Sequence, residues 1–292
     1  MRLKHLWQVL KLHKHPIKFL IGIVLMKFGL SRLFHIKQDG FMLRFYPSTM
    51  SFLKWSDPAG SNYGAEANFF RNYLRPGNVV IDVGANIGFY TLVCAVLVGN
   101  CGRVYAFEPH PRIFRYLKGN IALNKCKNIS AYNVALGNRA GTFTFSDEKQ
   151  DDMNFVVQNN SGIKIRMVKL DELAITNDCI AMLKIDVEGY EKFVVEGGME
   201  TLRRVQCIFF ESWKEHFGKF GYETRDLFKV IFEQGFHIFR IVDNFIFPIH
   251  EDYSSIECEN LVAVREISEF LQRTGFQLGQ KLTDSPESDV PQ

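Results

Sequence analysis

Residues 79–91 read VVIDVGANIGFYT, a short β-branched run that gives way to a glycine turn and then to an apolar segment. VVIDV (79–83) carries a single polar residue, as a strand buried on both faces of a parallel sheet requires. Gly84 and Gly88 allow a sharp turn and a close backbone approach to a ligand. The apolar stretch near 88–98 has the length of a helix. Strand, glycine turn and helix together form the repeating unit of nucleotide-binding α/β sheets.

The chain around this unit keeps alternating. RVYAFEP (103–109) reads as a second strand, 112–124 as a helix and ISAYNVALG (129–137) as a third strand. GTFTFS and IKIRMVKL, between 140 and 170, read as extra strands around a polar loop at 147–162. IAMLKIDV (180–187) is a strand, 188–204 a helix and CIFFES (207–212) a strand. A helix over 223–233 and strands at 236–242 and 260–265 complete the pattern. Such alternation implies a mainly parallel sheet with helices on both faces. Upstream, 40–75 forms a lead-in region with a helix over 65–74, closed by the turn signal Arg75-Pro76-Gly77.

In such sheets ligands bind beyond the carboxyl ends of the strands. The residues just past each strand are therefore the informative ones. After the first strand come Asp82, Gly84, Asn86 and Gly88, with a helix N-terminus that aims backbone N–H groups at an anion. GxxxxGK[ST] is absent, and so is GxGxxG, so neither a triphosphate nor a dinucleotide pyrophosphate is indicated. A carboxylate fits, such as the methionine end of S-adenosylmethionine, with Asp82 as an acceptor for the ligand's ammonium. Glu108, past the second strand, has the placement that accepts two ribose hydroxyls in dinucleotide folds.

IDVGANIGFYT (81–91), AFEP (106–109), NVALGN (133–138), LDEL (170–173) and LKIDVEGYE (183–191) occur in the order found in FkbM-type methyltransferases. The chain resembles that family over about 79–215. The resemblance implies a class I methyltransferase (Rossmann-like) fold with a seven-stranded sheet, S-adenosylmethionine as methyl donor, and a hydroxyl of a sugar, glycan or natural product as acceptor. Asp82, Gly84, Asn86 and Glu108 match the family's cofactor positions. Gly88, and Asn133 at the head of NVALGN, join them as candidate contacts, and 140–170 resembles the family's insertion.

Methyl transfer from a sulfonium needs an in-line nucleophile, so positioning supplies much of the rate. An acceptor hydroxyl must also lose its proton, and Asp186, just past the fourth strand, is the candidate base. Lys184 points to the same sheet face two residues earlier, where it can orient substrate or depress the Asp186 pKa. Glu211, at the end of the fifth strand, is a further catalytic candidate, with His216 nearby. Glu188 and Glu191 are expected to begin the next helix. Asp186, Glu188 and Glu211 would suit Mg²⁺ if they converged, but spacing cannot show convergence, and no metal is assigned.

The 47% hydrophobic composition, with 27 Phe, is ample for a large core and excludes a disordered chain. Charge is uneven: residues 1–38 hold eight Lys or Arg and no acid, while the rest carries all 32 acids. This asymmetry points to an anionic partner for the N-terminus. Leu3, Leu6, Trp7 and Leu10 have helical spacing, Pro16 is expected to end or kink that helix, and FLIGIVLM (19–26) follows. Eight residues are too few to cross a bilayer core, which needs about 20, and GLSRLF offers no cleavage site. Residues 1–30 thus suggest either peripheral membrane contact or packing on the core.

The six cysteines form no CxxC pair or zinc spacing, which suggests reduced thiols in a cytoplasmic protein, with attachment at the inner membrane face as an extension of that reading. The expected organisation is an N-terminal extension and lead-in (1–75), a methyltransferase domain (76–270) and a polar tail (271–292). The competing readings are a nicotinamide-dependent sugar oxidoreductase, disfavoured by GANIG and by the absence of YxxxK, and a non-catalytic nucleotide-binding module. Nucleic acid is not expected as a partner, because no NPPY-type tetrapeptide is present.

Overall fold

The computed structural model describes residues 14–57, 61–147, 154–157 and 162–279. Most of the expected helix over 1–15, most of the polar loop at 147–162 and the tail from 283 lie outside the described residues. Helix α1 (Pro16–Lys27) starts at the proline that was expected to stop a helix. At the first turn the missing N–H of proline has no intrahelical partner to lose. A short antiparallel pair follows, β1 (His35–Lys37) and β2 (Met42–Arg44), then α2 (Thr49–Ser56) and α3 (Ser61–Tyr73).

The alternating region begins with β3 (Val79–Val83), α4 (Phe89–Val98), β4 (Arg103–Phe107), α5 (Pro111–Leu123) and β5 (Ile129–Tyr132). Next come β6 (Ala135–Leu136), β7 (Gly141–Phe145), β8 (Val156–Val157) and β9 (Ile163–Val168). β10 (Ile180–Ile185), α6 (Glu191–Glu196), α7 (Met199–Leu202), β11 (Val205–Ser212), α8 (Lys214–Gly218) and α9 (Thr224–Glu233) follow. The chain closes with β12 (His237–Val242), β13 (Phe245–Pro248), β14 (Glu259–Val264), α10 (Ile267–Thr274) and β15 (Gln277–Leu278).

The central sheet runs β15-β13-β12-β14-β11-β10-β3-β4-β5. From β11 to β5 all neighbours are parallel, and β14 inserts antiparallel between β11 and β12. The α/β class is as expected. The sheet has nine strands where the family resemblance implied seven, because β13 and β15 extend its far edge. α10 and β15 also carry the fold past residue 270, so a boundary at 271 cuts through a helix. Every residue of β3 and β10 is buried, and apolar residues pack on both faces. Val80, Met182, Cys207 and Phe209 lie in one cluster; Ile81, Leu183, Ile208 and Phe210 lie in the other.

Two elements differ from their sequence reading for visible reasons. The run 129–137 is not one strand. Asn133 Nδ2 donates to the carbonyls of Glu108 and Pro109 at 2.8 and 2.9 Å, and the chain leaves the central sheet there. β6 then joins a second, four-stranded sheet of order β6-β9-β7-β8. The stretch 188–204 is likewise not one helix. Glu188 (φ +58°) and Gly189 (φ +102°) form a turn. Gly197 then interrupts the helix where a Cβ would come within 2.0 Å of the Gly137 carbonyl oxygen. The second sheet presses its backbone against α6 at that point.

Helix α1 docks on α2 through Gly22, where a Cβ would lie 2.8 Å from the Trp55 ring. Trp55 Nε1 donates to the Lys18 carbonyl at 3.0 Å, and Phe19 meets Phe52 edge-on at 5.0 Å. The opposite stripe of α1 is exposed: Ile17, Ile21, Val24 and the following Phe28 are 74, 47, 51 and 68% accessible. Among the described residues, no helix is long and apolar enough to cross a membrane.

Candidate active site

A cavity of about 620 Å³ opens at the carboxyl ends of β3, β4, β10 and β11, a volume in the range of small-molecule sites. Its floor is Gly84-Ala85-Asn86, Glu108-Pro109 and Asp186-Val187-Glu188. Glu211 and Cys258 close one side. Residues of the second sheet (Ala135, Leu136, Phe145, Val156) form a wall, and Met50, Glu66 and Phe69 approach from α2 and α3.

The turn after β3 is built for close contact. Gly84 has φ +79°, and a Cβ there would lie 1.8 Å from the Asp186 carbonyl oxygen. The turns after β3 and β10 therefore touch through backbone alone. Asn86 also has a positive φ (+49°), a conformation that asparagine tolerates better than most residues. Its Oδ1 accepts from the Ile87 N–H at 2.6 Å. Glu108 is 6% exposed and aimed by two backbone donors, Asn86 N–H to Oε2 at 2.9 Å and His110 N–H to Oε1 at 2.8 Å. A carboxylate oxygen can accept more than one hydrogen bond.

Asp186 reaches the cavity and is tied from behind by Lys184, whose Nζ lies 3.2 Å from Asp186 Oδ2 and 3.3 Å from Asp82 Oδ1. Lys184 and Asp82 are register partners across β10 and β3, and Asp82 Oδ2 accepts from Thr91 Oγ1 at 2.5 Å. Burial opposes the Lys184 charge, but the two carboxylates outweigh it and hold the ammonium above its ordinary pKa. Burial and the nearby Glu211 charge push the Asp186 carboxyl up against the pull of Lys184. Burial also favours the neutral form of Glu211, yet the adjoining His216 and the Cys258 thiol, which donates to Oε1 at 2.9 Å, hold that carboxyl below its ordinary value.

Gly84, Asn86, Glu108, Asp186 and Glu211, expected from sequence, thus meet in one cavity, and Glu188 joins them. Asp82, Gly88, Asn133 and Lys184 do not line it. Asp82 and Lys184 are 0 and 2% exposed and act on the cavity through Asp186, so Asp82 is not placed to take a ligand's ammonium. Gly88 (φ +89°) caps α4, where a Cβ would come within 2.5 Å of Leu117. Asn133 spends its amide on the backbone turn described above. Sequence reasoning missed Glu66, which faces the cavity from α3, accepts a short hydrogen bond from Asn260 and is pushed up to about 7 by burial and the Asp186 charge. No motif surrounds Glu66; only the docking of α3 brings it here.

With this geometry established, known proteins supply the family. The model of the methyltransferase FkbM domain matches residues 82–238, more than half of the chain. The chain belongs to the FkbM family. It is similar to the hexuronic acid methyltransferase AglP of Haloferax volcanii, 25% identical over 159 residues, covering 53% of this chain and 62% of that protein. A protein-L-isoaspartate O-methyltransferase of Methanothrix thermoacetophila is 33% identical over 79 residues, 27% of this chain and 35% of that one. The chain thus spans less than two thirds of these curated relatives. A solved FkbM methyltransferase of Methylobacillus flagellatus superposes with a TM-score of 0.42 at 13% identity, covering 84% of this chain and 59% of that one.

Proposed function

We propose that this FkbM-family chain transfers the methyl group of S-adenosylmethionine to an oxygen of a sugar-like acceptor. The observation that carries the reading is the pairing of Glu108 and Asp186 across one cavity. Glu108, held by two backbone N–H groups, accepts the ribose hydroxyls, while the Gly84–Gly88 turn admits the methionine end. Asp186 follows β10, on the opposite flank of the β3 turn from Glu108, and an acceptor hydroxyl beside it would approach the methyl carbon. The acceptor oxygen attacks in line, the carbon–sulfur bond breaks, S-adenosylhomocysteine leaves, and the hydroxyl proton passes to Asp186. The name of the Haloferax relative supports a sugar acid or related glycan as the acceptor class.

Two measurements test this. Calorimetry with S-adenosylmethionine against NAD should show binding of the first alone; binding of NAD instead would overturn the cofactor reading. Methyl-transfer assays over hexuronic acids, neutral glycans and small metabolites should then give a product heavier by one CH₂. Asp186→Asn should lower single-turnover rates by about 10²–10⁴-fold, the usual cost of losing a general base. Near-normal turnover in that variant would exclude the role.

The exposed stripe of α1 favours a second, compatible reading: peripheral attachment to an anionic membrane. Ile17, Ile21, Val24 and Phe28 recur at helical spacing on the solvent side, flanked by the exposed Lys14 and Lys27, while Lys18 and Arg32 nearby lie over the Trp55 and Tyr116 rings. Apolar side chains entering the interface, with cations at the headgroups, is the pattern of an interfacial helix. Each cation contributes about 1 kcal/mol, and the attraction fades with salt. Co-sedimentation with phosphatidylserine vesicles should capture the full chain at low salt and release it at high salt. The double variant Val24→Asp, Phe28→Glu should stay in the supernatant. Equal sedimentation of both proteins would overturn this reading.

A further inference from the structure

Glu188, Glu211 and His216 each offer one ligand atom, and these atoms all lie within 4.8 Å of one another. His216 Nδ1 stands 3.4 Å from Glu188 Oε2 and 3.5 Å from Glu211 Oε2. The His216 side chain is 9% exposed, and its Nδ1 makes no hydrogen bond although it is buried and faces both carboxylates. The two carboxylate oxygens stand at ion-pair distance, too far for good hydrogen bonds, so the buried nitrogen is under-satisfied where it stands. The three residues come from separate places: the turn after β10, the end of β11, and α8. Trp213 packs on the imidazole at 4.2 Å between ring centroids, and the Glu188–Gly189 turn presses against the His216 carbonyl. The first contact holds the ring, and the second holds the His216 backbone against the turn.

We propose that Glu188, Glu211 and His216 bind one divalent transition-metal ion at the rim of the cavity. Two carboxylates balance a 2+ charge, and the mixed oxygen and nitrogen set suits manganese, iron or zinc better than the all-oxygen preference of magnesium or calcium. Three protein ligands leave coordination positions open, and Glu188 and Glu211 both line the cavity. An acceptor oxygen bound in an open position would be polarised and would yield its proton to Asp186 more readily. This last role rests on the methyl-transfer reading; the metal site itself does not. Asp186, the third member of the acidic set suggested by the sequence, belongs instead to Lys184.

The test uses the full chain stripped with a chelator, with Mn²⁺ read by electron paramagnetic resonance and Zn²⁺ by calorimetry, in the absence of cofactor and substrate. The expected result is one ion per chain. Glu188→Gln and His216→Ala should each weaken binding at least tenfold. Because His216 is buried, circular dichroism accompanies its variant, and Glu188→Gln, at a half-buried turn, carries the test if that variant unfolds. Absence of binding, or binding that Glu188→Gln leaves unchanged, would overturn the site. If methyl transfer is detected, the stripped chain should be at least tenfold slower until Mn²⁺ returns; metal-independent turnover would overturn the role but not the site. Failure to find any methyl transfer would leave the ion count standing and would count against the proposed function alone.

Discussion

Lys184 Nζ lies 3.2 Å from Asp186 Oδ2, although the first residue is sealed inside the sheet and the second reaches the cavity. One ammonium therefore joins the interior, through Asp82, to the group proposed to take the acceptor proton. Lys184 is a positioning residue: it holds Asp186 at the edge of the cavity and stabilises its negative charge.

Replacing Lys184 with Met should be severe. It leaves Asp82, 0% exposed, beside Asp186 without a countercharge. Breaking a buried pair by removing one partner costs about 3–5 kcal/mol. Urea unfolding of Lys184→Met should show a loss of that size; a loss below about 1 kcal/mol would mean that the carboxylates do not depend on the ammonium.

Glu108→Ala should weaken S-adenosylmethionine binding by roughly 10- to 150-fold, since hydrogen bonds to a charged group contribute about 1.5–3 kcal/mol. The alanine also frees the Asn86 and His110 N–H groups, so Glu108→Gln, which can still accept one of them, should lose less. Calorimetry on both variants checks the order, and unchanged affinity in Glu108→Ala would remove this residue from the cofactor site.

Gly84→Ala combines a positive φ with a Cβ 1.8 Å from the Asp186 carbonyl oxygen. The left-handed conformation alone costs a non-glycine residue about 1–2 kcal/mol, and the clash adds to it by forcing the turns after β3 and β10 apart. Thermal unfolding should drop, and cofactor affinity should fall with it. A variant of normal stability and affinity would contradict the backbone contact.

Glu191 gives a pH dependence of stability. It is fully buried, accepts from the Val187 and Gly189 N–H groups through one oxygen, and leaves the other without a hydrogen bond. Burial and the Glu211 charge raise its carboxyl from 4.5 to about 8. The folded chain thus holds a proton that the unfolded chain releases above about 4.5. By linkage, this contribution is complete below that value and is lost as pH rises toward 8. Urea midpoints at pH 5.5 and 8.5 should differ less in Glu191→Gln than in the parent chain; an equal difference would exclude Glu191 as the source.

The strands around the cavity were legible because β3 and β10 are apolar runs bounded by glycine turns, and because Glu108, Asp186 and Glu211 stand at strand ends. Asp82 lies behind the cavity for a physical reason. A carboxylate in an apolar strand invites a ligand role, but its countercharge, Lys184, lies about a hundred residues away and becomes its neighbour only through β-pairing. Glu66 was silent for the same reason, since it arrives on a helix with no chemical signature. The break in 129–137 was hidden because the β-branched and small residues on either side of Asn133 suit a strand equally well. Only the amide bonds from Asn133 reveal the turn.

The second sheet leaves and returns at neighbouring points, since Ala135 and Leu136 pair in register with Met167 and Val168. The intervening chain is a closed excursion with both feet planted side by side. Its length can change without disturbing the order of the central strands, and the entropic cost of a longer loop grows only slowly. A change of length there would redraw one wall of the cavity and leave its floor, built on the central strands, in place.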